Sequence, residues 1–243
     1  MNIGFYGHSN CASIHKDSFI TILKNKLGFN LVNTGVLQGS EERILFELKK
    51  TKKIDLCIIF HSYPSYFFLP NCDRDFNIQN NVETRADYLF NWDHMKYIDR
   101  SFLPDKLYKN NKFIDSFKTA ENFKNSMFNY KDNFYNTDLN LNRYYGALIQ
   151  IDQYITFKKL NCVHILDYKH KNYIPKWFKF NTGLIDENLS VIIEKENKKF
   201  LDELESLVEK KIQKMQGLYP NGISIEGNLK VADYLETLIL NYF

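Results

Sequence analysis

Asn2-Ile3-Gly4-Phe5-Tyr6-Gly7-His8-Ser9-Asn10 is the stretch on which the reading of this chain turns. A short apolar run stops at a glycine, presents a serine hydroxyl two residues later, and gives way to a helical pattern reaching Leu27. In an open α/β sheet, residues just past the carboxyl end of a strand face the ligand crevice. Ser9 is therefore a candidate nucleophile.

The alternation continues downstream. Phe19, Ile20, Leu23 and Leu27 recur at helical spacing over 17–27, and Gly28 supplies the stop. A second strand is expected at 29–33. A second helix is expected at 40–50, with Ser40 as N-cap, Glu41 and Glu42 in the first turn, and Lys49 and Lys50 in the last, each charge complementing the helix dipole. The run 55–60 is continuously apolar, as in a strand covered on both faces. Two β-α-β units in succession imply a parallel sheet with right-handed crossovers, which places the chain in the α/β class.

Beyond residue 70 the pattern breaks. Residues 71–138 have no simple period but carry Phe76, Tyr88, Trp92, Tyr97, Phe102, Phe113, Phe117 and Phe128, too many apolar side chains for a disordered linker. This stretch is read as an inserted, mostly helical cap at about 71–140 within a single domain spanning 1–243. Regular structure resumes with a helix through Leu141, Tyr144, Leu148, Ile151 and Ile155, then a strand at 162–166. Residues 177–185 are left open between strand and loop. An amphipathic helix follows at 200–216, whose polar face is either solvated or an oligomer seam, and a last helix runs through Val231, Leu235 and Leu238.

Composition narrows the function classes. The chain has 243 residues, 44% hydrophobic, with a net charge of +3, too small an excess to argue for nucleic acid or a membrane surface. Cys11, Cys57, Cys72 and Cys162 form no CxxC pair, and Cys57 and Cys162 lie in apolar runs as buried thiols. The start of the sequence lacks the basic and apolar regions of a signal peptide. A reducing, cytoplasmic setting is expected. Gly35 and Gly39 precede a helix but lack a GxGxxG pattern or a P-loop lysine, and His61, Cys72, His164 and His170 have no recognised metal spacing. No cofactor is expected.

The turns after successive strands now stand in order: Gly7-His8-Ser9, then Asn33-Thr34-Gly35-Val36-Leu37-Gln38-Gly39-Ser40, then His61-Ser62-Tyr63-Pro64, and finally Gly222 to Ala232 opening the last helix. This layout resembles the SGNH (GDSL-like) hydrolases, flavodoxin-like three-layer α/β/α proteins that mostly cleave esters. It is similar especially to divergent versions carried by viruses of marine bacteria. The resemblance covers about 1–70 and 141–243.

Where the family reads Gly-Asp-Ser, this chain has Gly7-His8-Ser9. The family's glycine oxyanion donor falls on Gly39, with Gly35 as the other choice. Its asparagine donor has no counterpart, leaving His61 or Ser62. Its base-bearing Asp-x-x-His falls on Tyr219 and Gly222, neither of which can take a proton from serine at neutral pH. Two replacements are open. His170, in Asp167-Tyr168-Lys169-His170, follows a strand roughly 10 Å from the first. His61 ends the neighbouring strand. The resemblance implies a serine esterase acting on an ester or carbohydrate ligand. The lost base implies instead a degenerate member kept as a binding or virion structural module.

Overall fold

The computed structural model describes residues 1–7, 11, 15–35, 39–62, 64, 74–78, 82–86, 129, 133, 134, 136–166, 173–207 and 223–242. The elements follow in the order β1 (Asn2–Gly7), α1 (Phe19–Leu27), β2 (Asn30–Asn33), α2 (Glu41–Lys50), β3 (Leu56–Phe60), β4 (Arg74–Ile78) and β5 (Val82–Ala86). Then come α3 (Thr137–Lys158), β6 (Asn161–Ile165), β7 (Leu184–Asp186), α4 (Asn188–Leu207) and α5 (Ile225–Tyr242). Five strands form one sheet in the order β2-β1-β3-β6-β7, every neighbouring pair parallel. This is the doubly wound, flavodoxin-like order, in which the crevice opens between β1 and β3.

Strand alternation sorts the core into two layers. Ile3, Phe5, Ile58, Phe60, Val163 and Ile165 pack with Phe19, Leu23, Leu189, Val231 and Leu235 on the face covered by α1, α4 and α5. Tyr6, Cys57, Ile59 and Cys162 pack with Ile44, Leu48, Ile151 and Ile155 under α2 and α3. The result is the α/β/α sandwich expected from the sequence. The helix ends obey local rules. The Ser18 and Ser40 side chains accept the N–H groups of Thr21 and Arg43, and Gly28 closes α1 in the left-handed region.

One feature adds to the sequence expectation and one differs from it. The stretch expected to be a mostly helical insertion holds the antiparallel hairpin β4–β5 near its start, and 87–128 lie outside the described residues. The late amphipathic helix begins at Asn188, ahead of its expected start at 200, and 208–222 lie outside the described residues.

Asn228, on the first turn of α5, is fully buried. Its Oδ1 accepts the Phe19 N–H at 2.8 Å, and its Nδ2 donates to the carbonyls of Ile223 and Ser224 at 3.1 and 3.0 Å. One side chain thus joins the start of α1 to the turn that opens α5. Asn228→Ala leaves the Phe19 N–H without this acceptor and two carbonyls without this donor. We expect a loss of about 2 kcal/mol, read as an earlier urea midpoint with unchanged slope.

Candidate active site

The site is positioned by the end of β1 against the end of β3. Gly7 pairs with Phe60 at φ 137, and a Cβ at Gly7 would overlap the Phe60 carbonyl oxygen. Only glycine brings the two strand ends this close. Cys11 is fully buried in the core, and its carbonyl accepts the Gly35 N–H at 2.8 Å. Gly39, buried, stands immediately before the N-cap of α2. Ser9 and His170 lie outside the described residues, as do Tyr219 and Gly222.

His61 is the sequence candidate whose surroundings are fully visible, and it is closed off from solvent. Its Nδ1 lies 3.2 and 3.3 Å from the two Glu41 carboxyl oxygens. Its Nε2 lies 2.9 Å from Nδ1 of His164, one strand over on β6. The His164 Nε2 in turn faces the Thr182 carbonyl at 3.2 Å. Both ring nitrogens of His61 are therefore engaged inside the protein. Ser62, the next residue, differs from His61 in that its polar group is left over. Ser62 is fully buried, and its Oγ has no hydrogen-bond partner among the described residues.

The turn carrying these residues is held from three directions. Glu41 Oε1 accepts the Ser62 N–H at 2.6 Å. The His61 N–H donates to the Ile165 carbonyl at 3.2 Å, extending the β3–β6 ladder. Asn140 Nδ2, on the first turn of α3, donates to the Pro64 carbonyl at 2.6 Å.

A second support fixes the far end of the chain of contacts. Buried Asp152 on α3 accepts the Asn181 backbone N–H at 2.9 Å and its side-chain amide, which sets the neighbouring Thr182 carbonyl. Phe180 stacks on His164 with centroids 4.0 Å apart. Residues 177–183, left open between strand and loop, form a covering segment ahead of β7.

Sequence reasoning places Glu41 at the helix dipole and stops there. The structure turns its carboxyl inward, 1% exposed. The dipole favours the ionised form by roughly 0.3–1 kcal/mol, whereas burying a carboxylate costs several kcal/mol. Burial wins. It raises the Glu41 pKa to about 8 against the opposing Ser62 N–H, and lowers that of His61 to about 3. His164 is held well below the usual histidine range, first by burial and then by His61, with the Thr182 carbonyl opposing. Glu42, the next residue, is also raised by burial, while Arg143 of α3, at 2.8 Å, works the other way. The imidazoles touch directly at 2.9 Å. A metal ion between two ring nitrogens needs about 2 Å to each, so this contact leaves no room for one.

No protein-family model matches the sequence, and no curated protein matches it. Among solved structures, the chain is similar to a protein from Desulfitobacterium hafniense DCB-2 solved under a lipolytic G-D-S-L family assignment. The two are 11% identical, with 98% of each chain covered and a TM-score of 0.45.

Glu41→Ala strands the Ser62 N–H and breaks the link to His61 in a dry site. We expect a loss of about 2–4 kcal/mol in denaturant unfolding. Lys49→Ala, at an exposed position in the last turn of the same helix, keeps the Ser62 and His61 contacts and should leave Ser62 amide hydrogen exchange unchanged, whereas Glu41→Ala should accelerate it.

Proposed function

We propose that this protein is an SGNH-like serine hydrolase that cleaves an acyl ester carried on a carbohydrate. The observation that carries the reading is the β1/β3 switch point, where the strand leading to Gly7-His8-Ser9 is paired through Gly7 with the strand leading to His61-Ser62. Ser9 Oγ attacks the acyl carbonyl carbon, and His170 takes its proton. The Gly39 N–H and the Ser62 hydroxyl donate to the developing oxyanion, Ser62 standing where the family uses asparagine. The alcohol leaves with the proton from His170, and water then releases the acyl group from Ser9 by the same route in reverse. His61 serves as a positioning residue, since its ring nitrogens are turned to Glu41 and His164.

A second reading is favoured by one observation: the family's base position is occupied by Gly222. On that reading the chain keeps the fold as a binding or virion structural module without turnover.

A fluorophosphonate probe and a short-chain nitrophenyl ester separate the two. The hydrolase reading expects slow but measurable turnover, probe adduct on Ser9 by peptide mass spectrometry, and loss of both in Ser9→Ala. Ser62→Ala lowers kcat by roughly 10²-fold, the scale of one oxyanion donor, and His170→Ala lowers it at least as far. Turnover that survives Ser9→Ala overturns the nucleophile. A folded protein with neither adduct nor turnover supports the binding module.

A further inference from the structure

Four stations lie in line across the α2/α3 face of the sheet: the Glu41 carboxyl, the two rings of His61 and His164, and the Thr182 carbonyl. Three contacts join them, and each contact needs one proton. The Thr182 carbonyl can only accept, so Nε2 of His164 must carry a proton. If His164 is neutral, its Nδ1 is then bare and must accept from Nε2–H of His61. If His61 is also neutral, its Nδ1 is bare in turn and needs a donor. The group facing it is Glu41, which can donate only as the carboxylic acid. Any other placement of the three protons puts a negative and a positive charge together in a site where the three side chains are at most 1% exposed. Removing one proton leaves two lone pairs facing each other across a hydrogen-bond distance.

We infer that Glu41, His61 and His164 form one buried, uncharged proton chain that latches the turn after β3, and that loss of its third proton unlatches the turn. Glu41 Oε2–H donates to His61 while Oε1 holds the Ser62 N–H, so a single carboxyl group links the state of the chain to the crevice wall. The inference holds whether or not Ser9 is a nucleophile.

Among the described residues, the charges nearest the chain are engaged with partners of their own, and Glu42, which feels Glu41 as a like charge, disfavours a second carboxylate beside it. On α2, Glu42 is paired with Arg143 of α3 at 2.8 Å, and Arg43 with Glu47 at 2.9 Å. Asp152 of α3 is engaged by Asn181. From β3 and β6 the titratable side chains facing Glu41 along the chain are His61 and His164 themselves.

The pH dependence follows from the directions of shift. Glu41 is raised in the folded protein, to about 8. Its contribution is complete below the unfolded carboxyl range and is lost as pH rises through about 8. Both histidines are lowered. Their contribution is complete above the unfolded histidine range and is lost as pH falls below it. The three together give greatest stability near pH 6.5.

Two measurements test this on the intact chain. In the wild type at pH 6.5, nitrogen-15 NMR of the imidazoles should show both rings neutral, each with a protonated Nε2 and a bare Nδ1. A doubly protonated ring on either residue overturns the uncharged chain. Glu41→Gln keeps the geometry with no titrating group, its amide N–H donating to His61 and its amide oxygen accepting from Ser62. It should fold with both tautomers unchanged. The ratio of wild-type to variant folding constants should fall roughly thirty-fold between pH 6.5 and 9, and the protection of the Ser62 amide, its exchange rate corrected for ordinary base catalysis, should drop over that range in the wild type alone. A ratio constant with pH, or a Ser62 amide equally protected at both ends, overturns the latch. Should Glu41→Gln not fold, the NMR tautomers and the wild-type exchange profile decide alone.

Discussion

The pairing of β1 with β3 is the constraint on which the remaining architecture depends. The two strands run in register from Ile3 against Leu56 to Gly7 against Phe60, and each then leaves the sheet in a different direction. A side chain at Gly7 would force the strand ends apart at the last rung. Without that rung the two turns at the switch point would not share a wall, and the order β2-β1-β3-β6-β7 would enclose no crevice. The helices follow from this arrangement. Each β-α-β crossover must return along a sheet face, so α1 and α2 land on opposite faces, and the N-terminus of α2 arrives beside the end of β3.

The polar chain on the α2/α3 face occupies ground that hydrophobic residues could fill. Buried polar groups of this kind add little net stability when every partner is present and cost several kcal/mol when one is missing. Their contribution is specificity of position. Ile44, Leu48, Ile151 and Ile155 pack under α2 and α3 by shape alone and would tolerate small shifts. The contacts from Glu41 to Ser62 and His61, and from His61 to His164, tolerate very little, since each has a fixed direction and length. The segment bearing Phe180 and Thr182 is drawn into the same scheme through Asp152. The directional contacts of this face thus gather at the carboxyl end of β3, beside the switch point.

What the sequence by itself determined is everything set by neighbours along the chain. The continuous apolar runs at 56–60 and 162–165 announce covered parallel strands, and the 3.6-residue spacing of α1 and α3 announces their buried faces. Ser18, Ser40 and Gly28 act within one turn of helix, so their roles as caps or stops are open to a local reading. The turns carrying Gly39, His61 and Ser62 could likewise be placed at the strand ends from alternation alone. The hairpin β4–β5 escaped although Asp75-Phe76-Asn77-Ile78 and Val82-Glu83-Thr84-Arg85-Ala86 do alternate, because such short runs stand out poorly in a stretch that has no wider period. What only the tertiary structure decided is the company each polar residue keeps. Glu41 reads as an ordinary first-turn acid, and its inward turn is invisible until α2 is docked on β3. His164 sits in an apolar strand run with nothing nearby in sequence to pair with it; its partner is 103 residues earlier. Asn228 has nothing beside it in sequence to mark it for burial, yet on the first turn of α5 it is fully buried against the start of α1. Hydrophobic periodicity records which face of an element is covered. It carries no record of which distant donor meets which acceptor, because that meeting is fixed by strand order and register, which exist only in the folded chain.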